Sequence, residues 1–191
     1  MAESIELLTY LNGRIMPHSQ ASPLLQRING ASIGGFYDAE RTFGGEVFKL
    51  RSHLERLYRG LEASSIDPQI SIEELERITL GVIEANLSLL PDGHEYIVTQ
   101  IVNQSQRRSP DDTGTINVVV YCQPLDFTRF ARSYIDGVRI VTPNTYGIPP
   151  GQEPGVNKDG SQQVFLLMAS PNGGVSECEG ANFMFVEDGR I

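Results

Sequence analysis

Lysine is scarce in this 191-residue chain: Lys49 and Lys158 are the only two. Any reaction that needs a side-chain amine therefore has two candidates. Cysteine is also sparse. Cys122 and Cys178 stand alone, without a paired motif, which excludes a disulfide framework and reads as two buried thiols in a reducing compartment. The three histidines, His18, His53 and His94, lack the spacing of metal ligands, so no metal site is expected. No apolar run reaches the roughly 20 residues that span a bilayer. Met1–Glu6 carries no basic segment followed by an apolar core, so no secretory signal is read and a cytoplasmic location is expected. Positive charge is in deficit, with 15 Lys+Arg against 24 Asp+Glu and a net charge of -9. That balance argues against nucleic acid or an anionic membrane as the main partner. Repeats and low-complexity tracts are absent.

What is present has the composition of an ordinary soluble domain, 40% hydrophobic and 20% charged. Asn12-Gly13 between apolar runs predicts a hairpin. Residues 28–36 (INGASIGGF) read as a Gly-rich loop. Gly44-Gly45 marks a second strand–turn–strand unit. A helix is expected next, capped by Ser52 with Glu55 three residues on. Leu54, Leu57, Tyr58 and Leu61 give it one apolar stripe. A second helix is expected from Ser71, with Glu74 completing a capping box. Its broad apolar face is Leu75, Ile78, Val82, Ile83 and Leu90, and Pro91-Asp92-Gly93 should stop it. Two β-rich runs follow, 96–102 and 116–121. The order defines an α+β domain, with a boundary near 125–135. Residues 143–155 hold four prolines and three glycines and read as a long irregular segment. The remainder is β again: a strand over 164–168, a turn over 171–174, an extended run over 175–186 and a turn at Asp188-Gly189. A strand–turn signal so close to Ile191 predicts that the natural chain continues.

Three blocks carry a resemblance. YLNGRIMP (10–17) is similar to an opening hairpin, and ERTFGGEVFKLRSHLERLYRGLEASSI (40–66) contains a strand arginine, a Gly turn and His-Leu-x-Arg-Leu. NGGVSECEGANFMFVEDGRI (172–191) contains Gly-x-Val-x-Glu, then Asn-Phe, then Asp-Gly. In this order they resemble the fold-type IV (class IV) pyridoxal-phosphate enzymes, and among these the branched-chain aminotransferases. The resemblance implies a two-domain architecture: an N-terminal α+β domain over 1–128 and an incomplete, β-rich cofactor domain over 129–191.

The same resemblance implies the cofactor and the residues that hold it. Pyridoxal 5'-phosphate needs an amine, an acidic partner for its ring nitrogen and donors for its phosphate. Lys158 matches the imine-forming lysine. Glu177 matches the glutamate that pairs with the pyridine nitrogen, and Asn182 the orienting asparagine of the same block. Arg56 matches the arginine that contacts the phosphate. On its helix Arg56 lies about 150° from the leucine stripe, an orientation that suits solvent or a cleft. Arg41 is a candidate for a substrate carboxylate, with a sheet-edge charge as the competing reading.

Two departures qualify the implied activity. Lys158 and Glu177 are nineteen positions apart, where the family has a long helix, so the resemblance implies an internal deletion of about four helical turns. Within that interval Gln163 stands where the family's tyrosine is expected. The second departure is the end of the chain at Ile191, where family members continue through segments that grip the phosphate. The implied reaction is transamination of an apolar, branched-chain-like amino acid with a 2-oxo acid, in a homodimer. The alternatives are an aminodeoxychorismate-lyase-type enzyme and a truncated, non-catalytic homologue.

Overall fold

The computed structural model describes residues 6–90, 94–105, 114–125, 127, 131–141, 164–169, 175–178 and 184–190. The chain divides into two compact units, Met1–Leu125 and Asp126–Ile191.

The first unit opens with the hairpin β1 (Leu8–Leu11) and β2 (Arg14–Pro17). Asn12 and Gly13 both adopt positive φ, 48° and 89°, as a two-residue turn of primed geometry demands. Asn12 also fixes the turn to the neighbouring strand: its Oδ1 accepts from Val118 N at 2.8 Å. Helix α1 (His18–Ala31) and strand β3 (Ser32–Phe43) follow directly. The expected loop over 28–36 is therefore corrected to a helix end and a strand start. Pro23 lies inside α1 and no side chain of its own first turn caps it, so its local signal is weak. The cap comes from outside the segment, where Ser19 N donates to Glu6 Oε1 at 3.0 Å. Gly35 belongs to the strand for a steric reason. A Cβ there would lie 2.5 Å from the Cβ of Asn103, so the glycine permits close approach of the paired strand.

The turn at Gly44-Gly45 leads to β4 (Glu46–Val47), then α2 (Leu50–Ala63) and α3 (Ile72–Leu87). Helix α3 starts as expected, with Ser71 Oγ accepting from Glu74 N at 3.2 Å. Helix α2 does not. It begins at Leu50 after Lys49 in the left-handed region, φ 51°, and Ser52 and Glu55 lie within it. Leu50 is buried with Leu54, Leu57 and Leu61, so burial of one more leucine moves the start two residues upstream of the cap motif. The stop expected at 91–93 lies outside the described residues; α3 ends before it.

Strands β5 (Tyr96–Ser105) and β6 (Ile116–Pro124) complete an antiparallel sheet of order β2-β1-β6-β5-β3-β4. Along β3, Phe36, Asp38, Glu40 and Thr42 share one face, and Tyr37, Ala39 and Arg41 the other. Helix α2 packs on β3, and α3 on β6 and β1. The core between helices and sheet joins the α2 leucines, Leu75, Ile78, Val82 and Ile83 of α3, and Tyr96, Val98, Val102, Val118, Val120 and Cys122. The apolar faces expected for both helices are buried here except for Tyr58 and Leu90, which are only partly buried against this core. Leu90 lies past the end of α3 at Leu87. Gly60 lets α2 settle onto the sheet, since a Cβ there would meet the Phe36 ring at 2.7 Å. Cys122 is a free, buried thiol, pushed up to about 12 by burial.

In the second unit a short helix α4 (Ser133–Asp136) precedes β7 (Arg139–Val141), β8 (Val164–Ala169) and β9 (Val175–Cys178). β7 pairs parallel to β8, and β8 antiparallel to β9. The Asp188-Gly189 turn closes a bridge between Glu187 and Arg190. Cys178 is also free and buried. Among the described residues no helix is long and apolar enough to cross a membrane.

Candidate active site

The polar centre of the first unit lies in the seam between β3 and α2. The alternation of β3 sends Asp38 and Glu40 towards the helix, and register places Asp38 directly opposite Gln100 of β5. These side chains sit among leucines and valines because helix α2 brings polar partners to them. One turn apart on its surface, His53 and Arg56 both reach back to Asp38.

Arg56 donates to Asp38 through Nε (2.8 Å to Oδ2) and Nη2 (2.5 Å to Oδ1), a two-pronged ion pair. His53 Nδ1 donates to Asp38 Oδ1 at 2.9 Å. Asp38 is 2% exposed while Arg56 is 65% exposed. The arginine is thus anchored by one edge and open to solvent beyond it. Burial by itself would raise the Asp38 carboxyl, but the hydrogen bonds from Arg56 and His53 outweigh it and hold the group below its ordinary value. The same hydrogen bond raises Arg56. The nearest ligand-type atoms of Asp38, Glu40 and His53 lie within 4.8 Å of one another, and the cation this cluster holds is the Arg56 guanidinium.

Glu40 behaves differently from Asp38. Gln100 Nε2 donates to its Oε1 at 2.6 Å, while Glu40 Oε2 and Gln100 Oε1 have no hydrogen-bond partner. Burial pushes its carboxyl up to about 7, against the opposing pull of the Gln100 hydrogen bond.

The sequence-predicted residues fall as follows. Arg56 lies in this cluster, turned onto the sheet rather than simply outward. Arg41 is on the opposite face of the same strand, half-buried, with its guanidinium 4.0 Å from the centre of the Phe43 ring. Its backbone pairs with Ile97 on one side and accepts from Phe48 N on the other, so it is not on an open sheet edge. Lys49, the second of the two amines, lies over the Phe48 ring. Glu177 is placed by its backbone in β9, opposite Met168. Lys158 and Asn182 lie outside the described residues, as do Gln163 and the irregular segment at 143–155. Asp38, Glu40, His53 and Gln100 were not singled out by the sequence. Only the alternation of apolar and acidic residues in YDAERT could have flagged two inward-facing carboxylates.

No protein-family model matches the chain. The chain is similar to the probable branched-chain-amino-acid aminotransferase of Rickettsia bellii, with 24% identity over 94% of this chain and 65% of the relative. It thus spans about 65% of the length of that curated relative. Among solved structures, the branched-chain aminotransferase of Thermoproteus uzoniensis with norvaline superposes with a TM-score of 0.62 at 19% identity, over 92% of this chain and 63% of that one. The branched-chain amino acid aminotransferase of Thermobaculum terrenum in its PLP form gives 0.60 at 14%, over 92% and 62%. The fold is therefore that of the fold-type IV aminotransferases. In sequence the chain is similar to branched-chain-amino-acid aminotransferases.

Proposed function

We propose that this chain is a pyridoxal-phosphate-dependent aminotransferase that transfers the amino group of an apolar, branched-chain-like amino acid to a 2-oxo acid. The observation that carries this reading is the anchored Arg56. A guanidinium clamped on one edge by a buried carboxylate and open on the other is a preorganised donor for a phosphate, and it falls at the motif arginine that the resemblance assigns to that role. The cofactor, when bound, supplies the electron sink that weakens bonds at the Cα of an amino acid.

The chain's residues would act around it as follows. Arg56 holds the phosphate, with Asp38 fixing its direction. Glu177 holds a proton at the ring nitrogen by charge pairing, and Asn182 orients the same edge. Lys158 anchors the cofactor and moves the proton at Cα. Arg41 and the 73%-exposed Tyr37 share the open face of β3. Arg41 is the candidate for the substrate carboxylate, on the face of β3 opposite Asp38. The resemblance further implies a homodimer.

The test is an absorbance spectrum of the chain after addition of pyridoxal phosphate, beside Lys158→Ala, followed by transamination of leucine with 2-oxoglutarate. A protein-bound cofactor band that vanishes in the variant supports the reading. Absence of the band from both proteins overturns it for this 191-residue chain.

A further inference from the structure

We propose that Glu40 and Gln100 form a head-to-head carboxylic acid–carboxamide pair, closed by a proton on Glu40 Oε2, and that this proton sets the charge beneath Arg56. The first half stands on geometry. One hydrogen bond of the pair is formed, from Gln100 Nε2 to Glu40 Oε1 at 2.6 Å. The two oxygens left over, Glu40 Oε2 and Gln100 Oε1, are both buried and unpartnered. Gln100 is fully buried and Glu40 is 6% exposed. As an ionised carboxylate, Glu40 has only acceptors, so both oxygens stay unsatisfied, which is costly inside a core. A single proton on Oε2 makes it a donor and gives both orphaned atoms a partner.

The surroundings allow that proton. From α2, His53 and Arg56 favour the ionised form, and Asp38 on the same strand disfavours it. Cys122 on β6 is a neutral thiol raised by burial. Desolvation outweighs the rest and places the carboxyl at about 7. With Glu40 neutral, Asp38 is the carboxylate that balances Arg56. When Glu40 ionises, a second negative charge joins the cluster and weakens the hold of Arg56 on an outside anion. That consequence rests on the reading of Arg56 as a phosphate donor. Glu40 is then a positioning residue that acts through Arg56.

The experiment is isotope-edited infrared spectroscopy of the chain carrying carboxyl-labelled glutamate, titrated across neutrality. Ordinary glutamates are ionised by about pH 6. A protonated-carboxyl band that persists there, titrates near 7 and is missing from Glu40→Gln is the expected result. No such band, or one retained in the variant, overturns the pair. Binding of inorganic phosphate is then compared in the two proteins from mildly acidic to mildly alkaline pH. The anion's own ionisation is common to both. The wild type should lose affinity relative to Glu40→Gln by a few-fold as the band disappears. A titrating band with a constant affinity ratio overturns the link to Arg56 while leaving the pair intact. Should Glu40→Gln fold poorly, the wild-type band alone decides the first half.

Discussion

Asn86 of α3 and the polar cluster under α2 are both buried between the helices and the sheet, and they are satisfied to different degrees. Asn86 of α3 closes all of its amide bonds: Oδ1 accepts from Leu8 N at 2.8 Å, and Nδ2 donates to Leu8 O at 2.9 Å and to Val82 O at 2.8 Å. Its backbone carbonyl accepts the Tyr96 hydroxyl as well. It ties β1 to α3 and leaves nothing over. The cluster under α2 is different. Asp38 is fully engaged, yet its arginine extends into solvent and Glu40–Gln100 keeps two oxygens unpartnered. A closed polar network fixes a structure. An open one keeps capacity for a proton or an anion, and such sites gather where function lies.

Substitutions can break this contrast. The largest effect is expected for Arg56→Ala, which removes the two-pronged ion pair from Asp38 at 2% exposure and leaves it only the His53 and Ala39 N–H donors. We expect a loss of about 3 kcal/mol in chemical denaturation, together with loss of phosphate binding. Asp38→Ala leaves its stranded partner in solvent, so it should cost less, about 1–2 kcal/mol. If the two variants are equally unstable, Asp38 does not need its arginine for folding.

The pH dependence of stability comes next. Glu40 has a folded value of about 7 against an ordinary 4.5. The folded state therefore binds the proton more tightly between these values. The stabilisation is full below about 4.5, declines as pH rises, and is gone above about 7. The span corresponds to at most about 3 kcal/mol. Glu40→Gln should flatten this slope in thermal melts taken across the window. Asp38 acts in the opposite sense: its value is lowered, so its contribution is present near neutrality and lost as pH falls through the acidic range.

Asn86→Ala should cost about 2 kcal/mol, because the Leu8 N–H and C=O lose their partner. It should leave phosphate binding by Arg56 unchanged, and a matching loss of binding would erase the distinction between the two seams. The smallest effect is expected for Arg51→Ala. Its bridges to Glu73 and Glu76 join α2 to α3 at the surface, where such pairs contribute little. Its denaturation midpoint should stay close to that of the parent chain.

Much of this chain is legible locally. The Asn12-Gly13 and Gly44-Gly45 turns, the Ser71–Glu74 box and the leucine stripe of α2 all depend on residues within one or two turns of each other. Hairpin chemistry and helical periodicity act over that range. Helix α1 was not legible, because Pro23 weakens it and the carboxylate that caps it belongs to Glu6. The start of α2 was misread because burial of Leu50 overrode a plausible cap. In the candidate site, motif order alone marked Arg56, but not the residue that holds it. The cluster draws on positions 38, 40, 53, 56 and 100, which are brought together by one antiparallel register and one helix packed across it. Local patterns thus determined where the chain turns, where its helices bury their leucines and which family it resembles, since those signals lie in neighbouring residues. Which carboxylate grips Arg56 and which one stands ready for a proton was decided by the tertiary structure. Only strand pairing sets Asp38 opposite Gln100 and encloses Glu40 in a core that disfavours its charge.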